Sequence, residues 1–179
     1  MQTEIIVSGF GGQGTLYAGQ LLSYAAMDEG KQVTWIPSYG PEMRGGTANC
    51  TVVVSDTEIG SPFVKYPKAV IAMNLPSLDK YEPLMAPGGY LIVNASMINR
   101  EVEREDIHVA MIPASEIAQE IGNNRAANMV LLGSLMANLQ ILPEDALINA
   151  LKAHTPERLK KFLDMNIEAI QRGASYKAN

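Results

Sequence analysis

Val7-Ser8-Gly9-Phe10-Gly11-Gly12-Gln13-Gly14-Thr15 is the stretch on which the fold turns. Before it, Glu4 to Ser8 is apolar and reads as a buried strand. After it, Thr15 to Glu29 has a helical pattern, and Gly30 is placed to close that helix. Gly9, Gly11 and Gly14 meet the G-x-G-x-x-G spacing between a strand and a helix. Glycine permits positive φ at such a turn, and its missing side chain lets a ligand approach the backbone. Gly12 and Gln13 complete the turn. The helix then offers unpaired N–H groups and the positive end of its dipole to an anion, with the Thr15 hydroxyl beside them. Two readings stand: a tight strand–helix crossover without a ligand, or the edge of an anion or cofactor site.

Working outward, strands and helices alternate. Gln32 to Ile36, Thr47 to Ser55, Ala69 to Met73, Tyr90 to Asn94 and Ile107 to Met111 read as strands. Pro76 to Met85 reads as a short helix, and the remainder turns helical: Ala114 to Ile121, Ala126 to Gln140, Pro143 to Ala153 and Pro156 to Arg172. Alternation of this kind predicts a three-layer α/β/α fold, with a mostly parallel sheet, a Rossmann-like glycine loop and a helical C-terminal part. The helices at Thr15–Glu29 and Ala126–Gln140 are apolar all round, which predicts burial on several sides or contact with another chain. Residues after Gly173 are expected to fray.

A second loop, Pro37-Ser38-Tyr39-Gly40-Pro41-Glu42-Met43-Arg44-Gly45-Gly46, follows the second strand. In a parallel sheet it lies at the same carboxyl edge as the glycine loop, where open α/β sheets bind ligands. Arg44 beside Gly45 has room to grip a carboxylate or phosphate bidentately. Glu42 either pairs with it or bridges to a partner, and Tyr39 adds an aromatic face. The bland alternative is a rigid turn carrying a surface ion pair. A dinucleotide site expects an acidic residue at the end of the second strand for the ribose. Here that strand ends Trp35-Ile36-Pro37, and no lysine follows Gly14 to make a P-loop.

The chain has 179 residues, a formal net charge of -5 and one cysteine. That length suits a single domain over residues 1–179. The acidic balance, without a basic patch, argues against nucleic acid. One thiol cannot build a disulfide, a zinc site or an iron–sulfur cluster within the chain. No apolar run reaches the roughly 18 residues of a membrane span, and no leader precedes the first strand, so a cytoplasmic location is expected. Ser8, Ser38 and Cys50 lack an identifiable base, so no catalytic residue is assigned. His108 and His154 have no metal-spaced partner and read as structural, and no metal site is expected. Arg100 to Asp106 reads as a mixed-charge run, a solvated turn or short helix.

Gly9 to Gly19, the Pro37–Gly46 loop and Arg125 to Gly133, in this order, resemble the gamma subunits of 2-oxoacid:ferredoxin oxidoreductases over essentially the whole chain. The compact form is most similar to the 2-oxoglutarate type. The resemblance implies a subunit that is not catalytic alone. Its alpha, beta and delta partners would carry thiamine diphosphate and iron–sulfur clusters, and pass electrons to ferredoxin while the acyl group goes to coenzyme A. It implies coenzyme A or partner contacts at Gly9, Gly11, Gly12, Gln13, Gly14, Thr15, Tyr39, Glu42, Arg44 and Gly45. An isolated chain is then expected to self-associate through surface meant for its partners. The competing expectations are a free-standing dinucleotide- or flavin-binding protein, and a scaffold whose glycine loop meets only protein.

Overall fold

The structure is a computed structural model that describes residues 1–38 and 47–179. Its strands are β1 (Gln2–Phe10), β2 (Gln32–Ser38), β3 (Thr47–Ser55), β4 (Ala69–Ala72), β5 (Tyr90–Asn94) and β6 (His108–Ile112). Its helices are α1 (Thr15–Asp28), α2 (Leu75–Tyr81), α3 (Ala114–Ile121), α4 (Ala127–Leu139), α5 (Ala146–His154) and α6 (Leu163–Ala174). The strands form one sheet in the order β2-β3-β1-β4-β5-β6. Strands β1, β4, β5 and β6 pair in parallel.

Strand β3 departs from the expected pattern. It lies between β1 and β2 and is antiparallel to both. The physical reason is chain length. A parallel pair needs a crossover of about a dozen residues or more. Only residues 39–46 separate β2 from β3, so the chain must return as a hairpin. Five strands still point one way, and the sheet is mostly parallel. Strand β2 runs two residues past its expected end, with Pro37 opposite Cys50. A proline is tolerated there because β2 is an edge strand.

Alternation along the strands sends side chains to two cores. Ile5, Val7, Cys50, Val52, Ile71 and Ile92 face a layer built by α1, α3, α4, α5 and α6. Ile6, Val70, Leu91 and Val93 face a thinner layer made by α2 with Met85, Ile98 and Ile107. Helix α4 is apolar all round because the sheet and several helices enclose it, and Asn128 to Leu135 are all buried. It meets α6 through reciprocal glycines. A Cβ on Gly133 would run into the Ile170 carbonyl, and one on Gly173 into the Val130 carbonyl.

Two expectations need correction. The residues after Gly173 are tied down: the Tyr176 carbonyl accepts from Ser134 Oγ and Asn138 Nδ2, and the Ala178 amide donates to Asn138 Oδ1. The Asn179 amide donates to the Val109 carbonyl, which covers part of the β6 edge. The Arg100–Asp106 run is also more than a solvated turn. Arg100 Nη2 lies 2.7 Å from the buried Glu82 carboxylate, which accepts the Glu103 and Arg104 amides as well.

Candidate functional site at the carboxyl rim of the sheet

The glycine loop leaves the end of β1 as a closed turn. The Phe10 amide donates to Gln13 Oε1 at 2.6 Å, and the Gln13 amide donates to the Phe10 carbonyl at 3.2 Å. Gly12 and Gly14 have φ of 93° and 75°, so both require the left-handed region. Gly9 serves packing: a Cβ there would lie 2.9 Å from Met73 Cβ and 2.6 Å from Gln13 Oε1. Thr15 is buried, and its hydroxyl is turned inward to Met73 Sδ at 3.8 Å. Gly11 and Gly12 are exposed at the rim, and Gln13 and Gly14 are half-buried.

The remaining candidates, Tyr39, Glu42, Arg44 and Gly45, lie outside the described residues. The residues flanking them are described. Thr47 pairs with Phe10, and Ser38 pairs with Asn49, which in turn pairs with Ser8. The segment therefore departs from and returns to the sheet edge that carries the glycine loop.

Helix α4 adds residues that sequence reading did not assign to the site. Asn128 Nδ2 donates to the Gly14 carbonyl at 3.1 Å, while Asn128 Oδ1 accepts the Met129 amide. One side chain thus joins the start of α4 to the start of α1. Neither helix has an acidic residue in its first turn; α1 has no side-chain cap and presents free N–H groups and its positive dipole end, whereas at α4 the Met129 amide is already taken by Asn128 Oδ1 and the Ala126 carbonyl. Between them opens a cleft of about 500 Å³, lined by Gly12, Gly14, Tyr17, Arg125, Asn128 and Phe162 among others, and by no carboxylate among the described residues. Arg125 makes no ion pair among the described residues. The signal was present as Asn123-Asn124-Arg125 ahead of an acid-free helix, though only the fold shows that this helix starts beside Gly14.

The cleft is suited to an anion with an apolar portion: helix termini and a guanidinium for charge, Tyr17, Leu159 and Phe162 for contact. It differs from a Rossmann dinucleotide site. There the strand after the glycine-loop helix lies beside the first strand and supplies the ribose ligand. Here β3 occupies that place, and β2 lies two strand spacings, roughly 10 Å, from β1.

Other reactive groups are held elsewhere. Burial pushes the Cys50 thiol up to about 11, against smaller opposing hydrogen bonds from Trp35, Gly19 and Val7. His154 stacks on Tyr24 and meets Asp28 at 2.9 Å, and His108 stacks on Tyr90. Among the described residues no three His, Cys, Asp or Glu side chains gather as a metal site. No helix there is long and apolar enough to cross a membrane.

Comparison with known proteins gives the same family from three directions. The family described as pyruvate ferredoxin/flavodoxin oxidoreductase matches residues 4–176. The ketoisovalerate oxidoreductase subunit VorA of Methanothermobacter thermautotrophicus is 39% identical over 176 residues, 98% of this chain and 36% of that protein. The chain thus spans about a third of the length of that relative, 36%. The 2-oxoglutarate synthase subunit KorC of Methanothermobacter marburgensis is 36% identical over 180 residues, covering 97% of this chain and 95% of that one. The gamma subunit of a keto/oxoacid ferredoxin oxidoreductase from Geobacter sulfurreducens superposes with a TM-score of 0.83 at 28% identity, over 97% and 96% of the two chains. With a matching family model over nearly its whole length and relatives of this similarity, the chain belongs to the pyruvate ferredoxin/flavodoxin oxidoreductase family.

Proposed function

We propose that this chain is the gamma-type subunit of a coenzyme A-dependent 2-oxoacid:ferredoxin oxidoreductase. It assists oxidative decarboxylation without catalysing it. Thiamine diphosphate and iron–sulfur clusters belong to the alpha, beta and delta chains, and ferredoxin takes the electrons. The carboxyl rim supplies contacts to coenzyme A. One observation carries this: the cleft at the uncapped start of α1, beside Arg125, with no carboxylate among the described residues that line it. Phosphates of the coenzyme would meet the helix termini and the guanidinium, and Gly11 to Gly14 would let them approach the backbone. The Pro37–Gly46 segment, with Tyr39, Glu42, Arg44 and Gly45, is proposed to complete the rim from the neighbouring strands.

For the substrate we propose 2-oxoglutarate. The support is the match to KorC, 36% identical over 95% of that protein. Kinetics of the assembled complex with 2-oxoglutarate and with branched 2-oxoacids decide between them.

The rim is tested by Arg125→Ala in the assembled complex. Loss of a phosphate contact is expected to raise KM for coenzyme A about tenfold, with little change in KM for the 2-oxoacid. An unchanged KM for coenzyme A in both Arg125→Ala and Arg44→Ala would remove coenzyme binding from this chain and leave a scaffold.

A further inference from the structure

The stretch Arg158-Leu159-Lys160-Lys161-Phe162 gathers three cations in a chain whose net charge is -5. It forms most of a 3-10 turn, Glu157–Phe162, that joins α5 to α6, and none of its residues is buried. Lys160 is paired with Glu157 at 2.6 Å. Arg158 and Lys161 are exposed and make no ion pair among the described residues. Leu159 and Phe162 of the same turn line the cleft at the start of α1, together with Tyr17. Phe162 is half-buried yet belongs to neither hydrophobic core. Lys161 Nζ stands 5.0 Å from the centre of its ring. The turn therefore walls the cleft with an aromatic side chain and carries unpaired cations beside it.

The polar lining next to this wall is carboxamide, from Asn123 and Asn166. Asn123 Nδ2 donates to Asn166 Oδ1 at 3.4 Å, and Asn123 Oδ1 accepts the Arg125 amide. Asn166 is thereby oriented with its Nδ2 left to donate and one Oδ1 lone pair left to accept. A carboxamide that offers a donor beside an acceptor matches the amino and ring-nitrogen edge of adenine, and aromatic side chains stack on the face of the base. The pantetheine arm of coenzyme A is a flexible chain without a planar ring and matches this lining less well. A volume of about 500 Å³ is ordinary for a small-ligand site.

We propose that the cleft takes the 3′-phosphoadenosine end of coenzyme A. The adenine lies against Phe162 and Tyr17 with its edge on Asn166, and the 3′-phosphate meets Arg158 and Lys161. This rests on the reading that the rim binds the coenzyme. It assigns which end of the coenzyme enters this chain, and which side chains distinguish it from a nucleotide without a 3′-phosphate. Gly12, Gly14 and Arg125 line the same cleft and are left for the pyrophosphate.

The test is calorimetric titration of the assembled complex with adenosine 3′,5′-bisphosphate and with adenosine 5′-monophosphate, which differ only in the 3′-phosphate. The bisphosphate is expected to bind about tenfold tighter, and less so as salt rises. The double variant Arg158→Ala/Lys161→Ala should abolish that difference and leave the monophosphate unchanged. Phe162→Ala should weaken both fragments about tenfold, while Phe162→Tyr keeps the stacking face and stays close to the unaltered complex. The melting temperature of the complex should hold in all three, because these side chains lie outside both cores. A bisphosphate that binds no tighter than the monophosphate overturns the assignment. So does a preference that survives the double variant. If Arg125→Ala weakens binding of coenzyme A while these variants do not, this subsite alone falls. If Arg125→Ala and Arg44→Ala leave it unchanged as well, the coenzyme reading falls with it.

Discussion

Cys50 illustrates how much a neighbour decides at the scale of one residue. Its sulfur packs where a Cβ on Gly19 would otherwise sit, and it donates to the Thr15 carbonyl at 3.6 Å. With its thiol pushed up to about 11 by burial, thiolate is scarce at neutral pH. Native protein at pH 8 is expected to resist alkylation, with full labelling after denaturation; rapid native labelling would contradict that burial. Glu82 supplies a second prediction. It is 3% exposed. Burial pushes its carboxyl up, but the Arg100 guanidinium and the Arg104 and Glu103 amides together outweigh that and hold it below the usual glutamate range. A folded value below the unfolded one means the contribution is complete above the ordinary glutamate value. It is lost as pH falls through the folded one. Glu82→Gln should cost about 1–3 kcal/mol at neutral pH. Acid titration followed by circular dichroism should show the variant missing the step at the lowest pH. The sequence showed Arg100 and Arg104 as part of a charged run, but their burying partner lies about twenty residues earlier and is brought near only by the fold. Gly9 was legible as necessary. That its reason is Met73 and Gln13 required the packing.

At the scale of elements, the helix pair α4–α6 depends on its two glycines. Gly133 and Gly173 each face a carbonyl of the opposite helix, so added methyl groups have no room. Overpacking of this kind typically costs 1–3 kcal/mol. Gly133→Ala and Gly173→Ala should each lower stability by about that amount in urea titration, with unchanged dependence on denaturant. An unaffected midpoint would mean the helices can separate freely. The strands Thr47–Ser55 and Tyr90–Asn94 and the helix Ala114–Ile121 match their sequence readings end to end, because their patterns are bounded by clear breaks. The readings at Pro143 and Pro156 start early. Pro143 sits in a turn that accepts the Ala146 amide, and Pro156 opens a 3-10 turn, Glu157–Phe162, before α6. Proline marked the region of the helix start but not the first helical residue. The mostly parallel sheet follows from the alternation of strands and helices, and the antiparallel place of β3 from the short 39–46 connection.

For the whole molecule, the proposed work gathers at one end of the sheet. The carboxyl rim holds the glycine loop, the start of α4 and the anchors of the Pro37–Gly46 segment. The sequence contained the glycine loop and the motif at Arg125, but their meeting through Asn128 spans more than a hundred positions and is a property of the fold. The direct test of the central claim is the rate of 2-oxoacid-dependent, coenzyme A-dependent ferredoxin reduction by the reconstituted complex with and without this chain. Turnover is expected only when the chain is present, with none from the chain alone. A complex that lacks the chain yet shows the same rate and the same KM for coenzyme A would contradict it.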